Sequence, residues 1–376
     1  MNILIGGDVV PTDSTMALFN QGNVIDLLGE SLYKKWTSSD IRLFNLEVPL
    51  TNYKKPILKK GPNLIAPTTT INGIKNLNPS LVSLANNHIL DYGIDGLNST
   101  ETLLEDYHIP HVGTGCNIKE ASKPYILKKD DVFIGVYACA EHEFTIATDE
   151  IAGANPFDPL ESLDHIQELK EKCDYVIVLY HGGKEHYRYP SPYLQKVCRK
   201  MVEKGADLVV CQHSHCIGTY EQYKNSTIIY GQGNFIFNKL NNEFWNTSIL
   251  INLKIEKELH IDFIPIVRTE KGIRLANEVE SKQILLDLYS RSKRIQEQDF
   301  IENCYNELAE SKINNYLRQF SGFGKWVSRF DRKILKGKLL QKKYKTNQLL
   351  SLQNFIECEA HRELILRGIK NRINKF

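Results

Sequence analysis

Nine polar side chains in this 376-residue chain share a placement that invites chemistry, each following closely on an apolar, strand-like run. Asp8 follows NILIGG, Asn45 and Glu47 end IRLFNLE, and Asn86, Asn87 and His88 follow LVSLA. His181 follows YVIVLY, and His213 and His215 follow ADLVVCQ. In layered α/β folds the carboxyl ends of strands are where ligand-binding loops converge. Asp, Glu, Asn and His are the oxygen and imidazole donors of a divalent cation, whereas Ser, Thr or Lys would serve a loop that needed only polarity. Singly, each has an ordinary explanation: an Asp after Gly-Gly is a turn or cap residue, and a His near a core strand is a satisfied polar group. The pair His213/His215 carries more, because alternate residues of an extended segment point to one side and approach a common ion. No acid-rich calcium loop and no thiolate cluster competes with this reading.

The elements that must position these residues follow from periodicity. Strands are expected at Asn2–Gly6, Ile41–Asn45, Leu81–Leu84, Val132–Tyr137, Tyr175–Tyr180, Asp207–Cys211 and Thr227–Tyr230. Helices are expected at Val24–Trp36, Ile94–Tyr107, Glu161–Lys172 and Pro192–Lys204. Most of the strand runs are apolar throughout, which predicts sheets covered on both faces. Thr247–Leu253 and Glu258–Val267 are expected as antiparallel strands closing the sheet system. The fold class is therefore α/β and layered. Past this point the composition changes: Gln, Asn, Lys, Arg, Glu and Leu dominate, and no proline follows Pro265. Helical periodicity runs through Ser281–Gln296, Ile301–Phe320, Val327–Leu340 and Leu350–Arg367, giving a domain over 1–272 and a helical C-terminal extension over 273–376.

Composition narrows the function classes. A net charge of +2 and a hydrophobic content of 42% describe an ordinary globular chain with no global pull toward polyanions or polycations. No apolar stretch approaches bilayer-spanning length, and the opening MNILIGGDVVPTD lacks the basic region of a signal peptide and reads as a first strand. Eight cysteines are scattered without a CxxC pair, so free thiols in a reducing, cytoplasmic setting are expected. The segment Gly324–Lys345 (GKWVSRFDRKILKGKLLQKKYK) is the most basic in the chain and interleaves Trp326, Phe330, Leu335 and Leu339 with Lys and Arg. An ordinary amphipathic helix would turn those apolar residues inward and leave a solvated basic face. The sharper alternative is a helix lying on an anionic membrane or polymer surface. No nucleic-acid module accompanies the segment, so nucleic acid is not an expected partner.

Taken as ordered blocks, the sequence resembles the CapA family, the capsule and poly-γ-glutamate biosynthesis proteins with a calcineurin-like metallophosphoesterase fold. The blocks are GGDVV (6–10), FNLEVPLT (44–51), SLANNHILDYGIDGL (83–97), HVGTG (111–115), YHGGKEHY (180–187), ADLVVCQHSHCIGTYE (206–221) and YGQGNFIF (230–237). They cover roughly residues 1–240, and NNHxxDxG and HxH are the most specific among them. The resemblance implies a layered α-β-β-α sandwich of metallophosphoesterase type. Nothing transfers to the helical extension.

Residue by residue, the resemblance implies Asp8 and His215 as ligands of a first metal and Glu47 as a carboxylate bridging to a second. Asn87, His181 and His213 would complete the second. His88 would be the general acid, with Asp91 orienting it or capping the next helix, and Asn234 would brace the H-x-H loop. Asn45 and Asn86 stand on the substrate side, as do Glu185 and His186, and Glu141 and His142 of the AEHEF segment. Val10 departs from the superfamily, which usually carries a His there. The first site is then short of a ligand unless Glu185 or His186 moves in, so one divalent ion fits as well as two, with manganese, iron or zinc expected. The implied activity is metal-assisted hydrolysis of a phosphoester or an acidic-polymer linkage in an anionic substrate. The alternative is a non-catalytic assembly or binding factor in capsular polymer biosynthesis, touching the membrane surface or the capsule machinery through 324–345. Family members often carry an N-terminal anchor; this chain starts at its first strand, so a cytoplasmic location, peripheral at the membrane, is expected.

Overall fold

Alternation along the strands decides the architecture. In Asn2–Val10, Ile3 and Ile5 face one side and Leu4 the other, and both sets are buried. Such a strand needs cover on both faces, and the computed structural model, which describes residues 1–239, 242–256 and 259–373, supplies it with four layers. One sheet has eight strands, in the order Ile273–Leu275, Leu259–Arg268, Thr247–Ile255, Asn2–Val10, Ile41–Leu46, Leu81–Ser83 and His111–Val112, with Ile236–Phe237 paired to Asn2–Val10. A second has six: Tyr220–Tyr223, Ser226–Ile229, Leu208–Gln212, Tyr175–His181, Val132–Ala140 and Tyr125–Lys129, and Thr114–Gly115 pairs separately with Gly153–Ala154. The central strands of each sheet are parallel. Thr247–Ile255 and Leu259–Arg268 add antiparallel, as expected. Glu258, the expected first residue of the last of these, lies outside the described residues.

Between the sheets, Ile3, Ile5, Leu43 and Leu81 meet Ile134, Ile177, Leu179 and Val210. The outer face of the larger sheet is covered by helices bringing Leu27, Leu32, Trp36, Ile74 and Leu97. Helices Ser162–Lys170 and Pro192–Glu203 pack on the outer face of the smaller one. The result is the expected layered α-β-β-α sandwich.

Residues that continue the inter-sheet side past the strand ends become the site. Leu43 faces the other sheet, and Asn45 and Glu47 follow it at two-residue spacing; Ile177 and Leu179 are followed in the same way by His181. Asp8 has the wrong parity for this, since it shares the side of Leu4 and not of Ile5. An irregularity between Ile5 and Asp8 corrects it: Ile5 pairs with Leu43, but Asp8 pairs with Asn45, so one extra residue is absorbed and Asp8 changes face. The Gly-Gly before it is part of the device, because a Cβ on Gly7 would collide with the carbonyl oxygen of Gly233.

Several expected elements differ in extent. Val24–Trp36 is two helices, Val24–Leu28 and Glu30–Thr37, divided at Gly29, whose φ of 67° ends one helix and opens the next. Contacts divide the chain into units Met1–Ile301 and Glu302–Phe376, later than the expected boundary at 272/273. Ile273–Leu275 completes the larger sheet. Helix Glu278–Arg294, opened by a capping box between Asn277 and Glu280, buries Ile284 and Leu288 against Ile217 and Ile249. In the second unit, Val327–Leu340 is broken by left-handed Lys336 (φ 50°) and Gly337 (φ 86°) into Lys325–Lys333 and Lys338–Lys343. Leu350–Arg367 falls within Thr346–Glu357 and Glu359–Ile373, divided at extended Cys358. No helix among the described residues is long and apolar enough to cross a membrane.

Candidate metal centre

Asp8, Glu47, His181, His213 and His215 converge at the carboxyl ends of the parallel strands, all buried. Two groups among them have donor atoms within 4.8 Å of one another: Glu47 with His181 and His213, and Asp8 with Glu47 and His215. Glu47 belongs to both. His181 Nε2 lies 3.3 Å from Glu47 Oε1 and 3.1 Å from His213 Nδ1, and its Nδ1 lies 3.8 Å from Asp8 Oδ1. His215 Nδ1 lies 3.5 Å from Asp8 Oδ2.

Amides hold these groups in place. Asn45 Nδ2 donates to Asp8 Oδ1 at 2.8 Å, and Asn86 Nδ2 donates to Asn45 Oδ1 at 3.1 Å and to the Leu46 carbonyl at 2.8 Å. Asn234 Oδ1 lies 2.9 Å from His215 Nδ1. Asn87 Oδ1 lies 3.0 Å from His181 Nε2, and its Nδ2 donates to Glu143 Oε2 at 3.1 Å. Asn45 and Asn86, expected on the substrate side, are thus supports buried beneath the cluster.

The H-x-H pair converges for a different reason from the one its spacing suggests. It is not extended: His213 and His215 both have left-handed backbones, φ 83° and 54°, in a loop beyond the strand Leu208–Gln212. Bulky residues occupy that region at a cost. In return the His213 backbone N–H faces Asp8 Oδ2 at 3.4 Å.

Burial opposes charge throughout the cluster, and neighbours decide which groups carry it. For His215 burial is outweighed by Glu47 and Asp8, and its pKa is pushed up to about 9. His181 is raised in the same way, burial again yielding to Glu47 and Asp8. His213 is driven well below the usual imidazole range by burial and by its two neighbouring imidazoles. Burial would raise Asp8, but its hydrogen bond with His215 and the charges of His181 and His215 hold it low. Neither carboxylate oxygen of fully buried Glu47 has a hydrogen-bond partner, its approach to His181 lacking hydrogen-bond geometry. An orphaned buried carboxylate among imidazoles is costly unless positive charge completes it. The donor set therefore fits a divalent cation.

Beside the cluster, His88 Nδ1 lies 2.6 Å from Asp91 Oδ2, so Asp91 orients His88. It is not the cap of helix Gly93–Asp106, which starts without a side-chain cap. Lys59 completes a trio, its side chain 2% exposed and its Nζ paired with Asp91 and 3.2 Å from His88 Nδ1. Lys59 arrives on the irregular stretch between Leu50 and Ala66, whose Ile57 and Leu64 backbone N–H groups donate to Asp91. The sequence does not single it out. Nothing in KKPILKKGPN separates Lys59 from Lys54, Lys55 and Lys60, and the available signal is the unusual length of a stretch with no element of its own.

Other expected residues are not brought in. Glu185 and His142 are exposed. His186 accepts the Trp245 indole N–H on Nε2 at 2.9 Å, stacks on Phe244 and belongs to neither donor group, so it does not make up for Val10. Val10 itself packs into the helix-side core. From AEHEF, Glu141 reaches inward, accepting the Gly183 N–H at 3.0 Å, with burial pushing its pKa up.

The family model for the bacterial capsule synthesis protein PGA_cap matches residues 2–239. The capsule biosynthesis protein CapA of Bacillus anthracis is 30% identical over 213 residues, 54% of this chain and 51% of that protein. The PGA biosynthesis protein CapA of Bacillus subtilis (strain 168) is 29% identical over 208 residues, 54% of each. The chain thus spans about half the length of the curated relatives it matches. Among solved structures, a phosphatase from Mycoplasma pneumoniae aligns with a TM-score of 0.44 at 12% identity, covering 77% of this chain and 98% of that one. A 5'-nucleotidase precursor from Thermus thermophilus aligns with a TM-score of 0.39 at 13% identity, over 79% and 60%. Since the family match spans more than half of the chain and includes the range that carries the buried cluster, the chain belongs to the bacterial capsule synthesis protein PGA_cap family.

Proposed function

We propose that this chain is a metal-dependent hydrolase of capsule or polyglutamate biosynthesis, acting on a phosphoester or an acidic-polymer linkage. The observation that carries the reading is Glu47, buried, with neither oxygen hydrogen-bonded and only an ion-pair approach to His181, and shared by two donor groups. Asp8 and His215 on one side, and His181 and His213 on the other, would hold the ion or ions with it. When bound, a divalent cation supplies Lewis-acid polarisation of a phosphoryl or carbonyl oxygen.

The chain's own residues do the rest. Asp91 engages Nδ1 of His88, which leaves Nε2 as the nitrogen that exchanges a proton with a leaving group. Lys59, paired with Asp91 and 3.2 Å from His88 Nδ1, braces both and so fixes the imidazole plane. Asn45, Asn86 and Asn234 prevent Asp8 and His215 from swinging out of register, the role that outer partners play at metal sites. Glu143, touching Asn87 from an exposed position, and half-buried Glu141 border the site.

The test is elemental analysis of untagged protein with a phosphoester screen, on wild type, His213→Ala and His88→Ala. Bound manganese, iron or zinc that is lost in His213→Ala, with turnover lost in both variants, supports the reading. A second reading, a non-catalytic assembly or binding factor, is favoured by Val10, which leaves the Asp8 group with three donors. Metal retained without turnover on any substrate would select it.

A further inference from the structure

The helix Lys325–Lys333 reverses the ordinary amphipathic order. Its single acid, Asp331, is fully buried, accepting the Leu339 backbone N–H on Oδ1 at 2.8 Å, with Arg318 Nη2 3.8 Å from Oδ2. Its large apolar residues are outside: Trp326 is 83% exposed, Phe330 52% and Ile334, at the helix end, 64%. Trp326, Phe330 and Ile334 recur at four-residue spacing and form one stripe, which Arg329 and Lys333 flank. The burial of Asp331 fixes this orientation, because rotating the stripe inward would expel a bonded carboxylate. Trp326, Phe330 and Ile334 therefore do not pack inward as an ordinary surface helix would have them, whereas Leu340 is buried and Leu335 and Leu339 are half-buried.

Charge identifies what such a face fits. Between residues 324 and 345 there are nine Lys or Arg against one Asp, in a chain whose net charge is only +2. Lys325, Arg329, Arg332, Lys333 and Lys336 are all exposed. A soluble polyanion would satisfy the cations and leave the rings in water. The interface of an anionic bilayer takes both, with the apolar side chains at the boundary between headgroups and acyl chains and the cations at the phosphates. We infer that the exposed face of Lys325–Lys333 is a docking surface for anionic phospholipid membrane. The inference stands on this helix alone and does not depend on whether the metal centre turns over.

The test uses the full chain and vesicles of phosphatidylcholine with or without phosphatidylglycerol, read by sedimentation and by tryptophan emission. Of the three tryptophans, Trp36 and Trp245 are buried, so an emission shift on binding reports Trp326. Expected are binding to the phosphatidylglycerol vesicles only, a blue shift, and loss of both in Phe330→Ala/Ile334→Ala. Arg329→Gln and Lys333→Gln should each weaken binding about fivefold. Unchanged circular dichroism shows that these exposed substitutions leave the fold intact. Absence of binding to either vesicle overturns the inference, as does binding that Phe330→Ala/Ile334→Ala leaves untouched. Tighter binding to soluble poly-γ-glutamate without an emission shift would replace the membrane by a polyanion. Burial of Trp326 by self-association without lipid would replace it by a second copy of the chain.

Discussion

In Met1–Ile301 the departures from ordinary burial are polar: Asp8, Glu47, His181, His213 and His215 are all withdrawn from water. In Glu302–Phe376, buried Asp331 apart, the larger ones are apolar: Trp326, Phe330 and Ile334 stand in water, as do Leu364 and Leu366, and helices Thr346–Glu357 and Glu359–Ile373 bury no residue at all. Folding free energy favours neither arrangement, since burying unpaired charge is costly and exposing large apolar surface forgoes its burial. The two units therefore deviate in opposite senses, and each deviation points to something outside the chain. Positive charge would complete the first, and a partly apolar surface would complete the second.

This contrast is most vulnerable at the metal centre. His88→Ala should lower hydrolysis about 10²–10⁴-fold while metal content stays constant; Glu47→Gln should remove the metal itself, by elemental analysis. If Glu47→Gln keeps its metal, the orphaned carboxylate has another purpose. Next in size, Ile177→Ala, in the inter-sheet core, should cost about 2–5 kcal/mol in denaturant unfolding. Lys59→Met should lower activity about 10–100-fold through His88 and Asp91 and shift the pH–rate profile, which a merely structural lysine would not do.

A pH dependence probes the buried charge from another side. The raised pKa values of His181 and His215 mean that the folded, metal-free protein holds protons that the unfolded chain releases near 6.5. Their stabilisation is complete below about 6.5 and is lost as pH rises through about 9. The melting temperature of chelator-treated protein should fall across that window, and manganese should flatten the fall. Smallest of all, Leu364→Ala, at a side chain 70% exposed, should change stability by about 0.5 kcal/mol or less.

Much of the site is legible in the sequence because each member follows an apolar strand, and strand parity propagates past the strand end. Asn45, Glu47 and His181 continue the inter-sheet parity of their strands past the strand ends. Asp8 does not: its parity is wrong until the irregularity after Ile5 is known, and the sequence shows only two glycines there. Lys59 is invisible because a lysine in a basic loop looks solvated, and its burial depends on where Asp91 lies. His142 and Glu185 look as promising as Glu141, yet they are exposed where Glu141 is half-buried.

Residue type and local period are enough to set the α/β layering, the strands that carry the donors and the basic character of residues 324–345, because neighbours a few positions away suffice to express them. Three features come instead from long-range packing: Glu47 is shared by two donor groups, Asn45 and Asn86 support Asp8 from beneath, and Asp331 is inward while Trp326 is outward. Each of those depends on groups tens to hundreds of residues apart, or on which face of a helix finds a buried hydrogen-bond partner, and no periodicity encodes that choice.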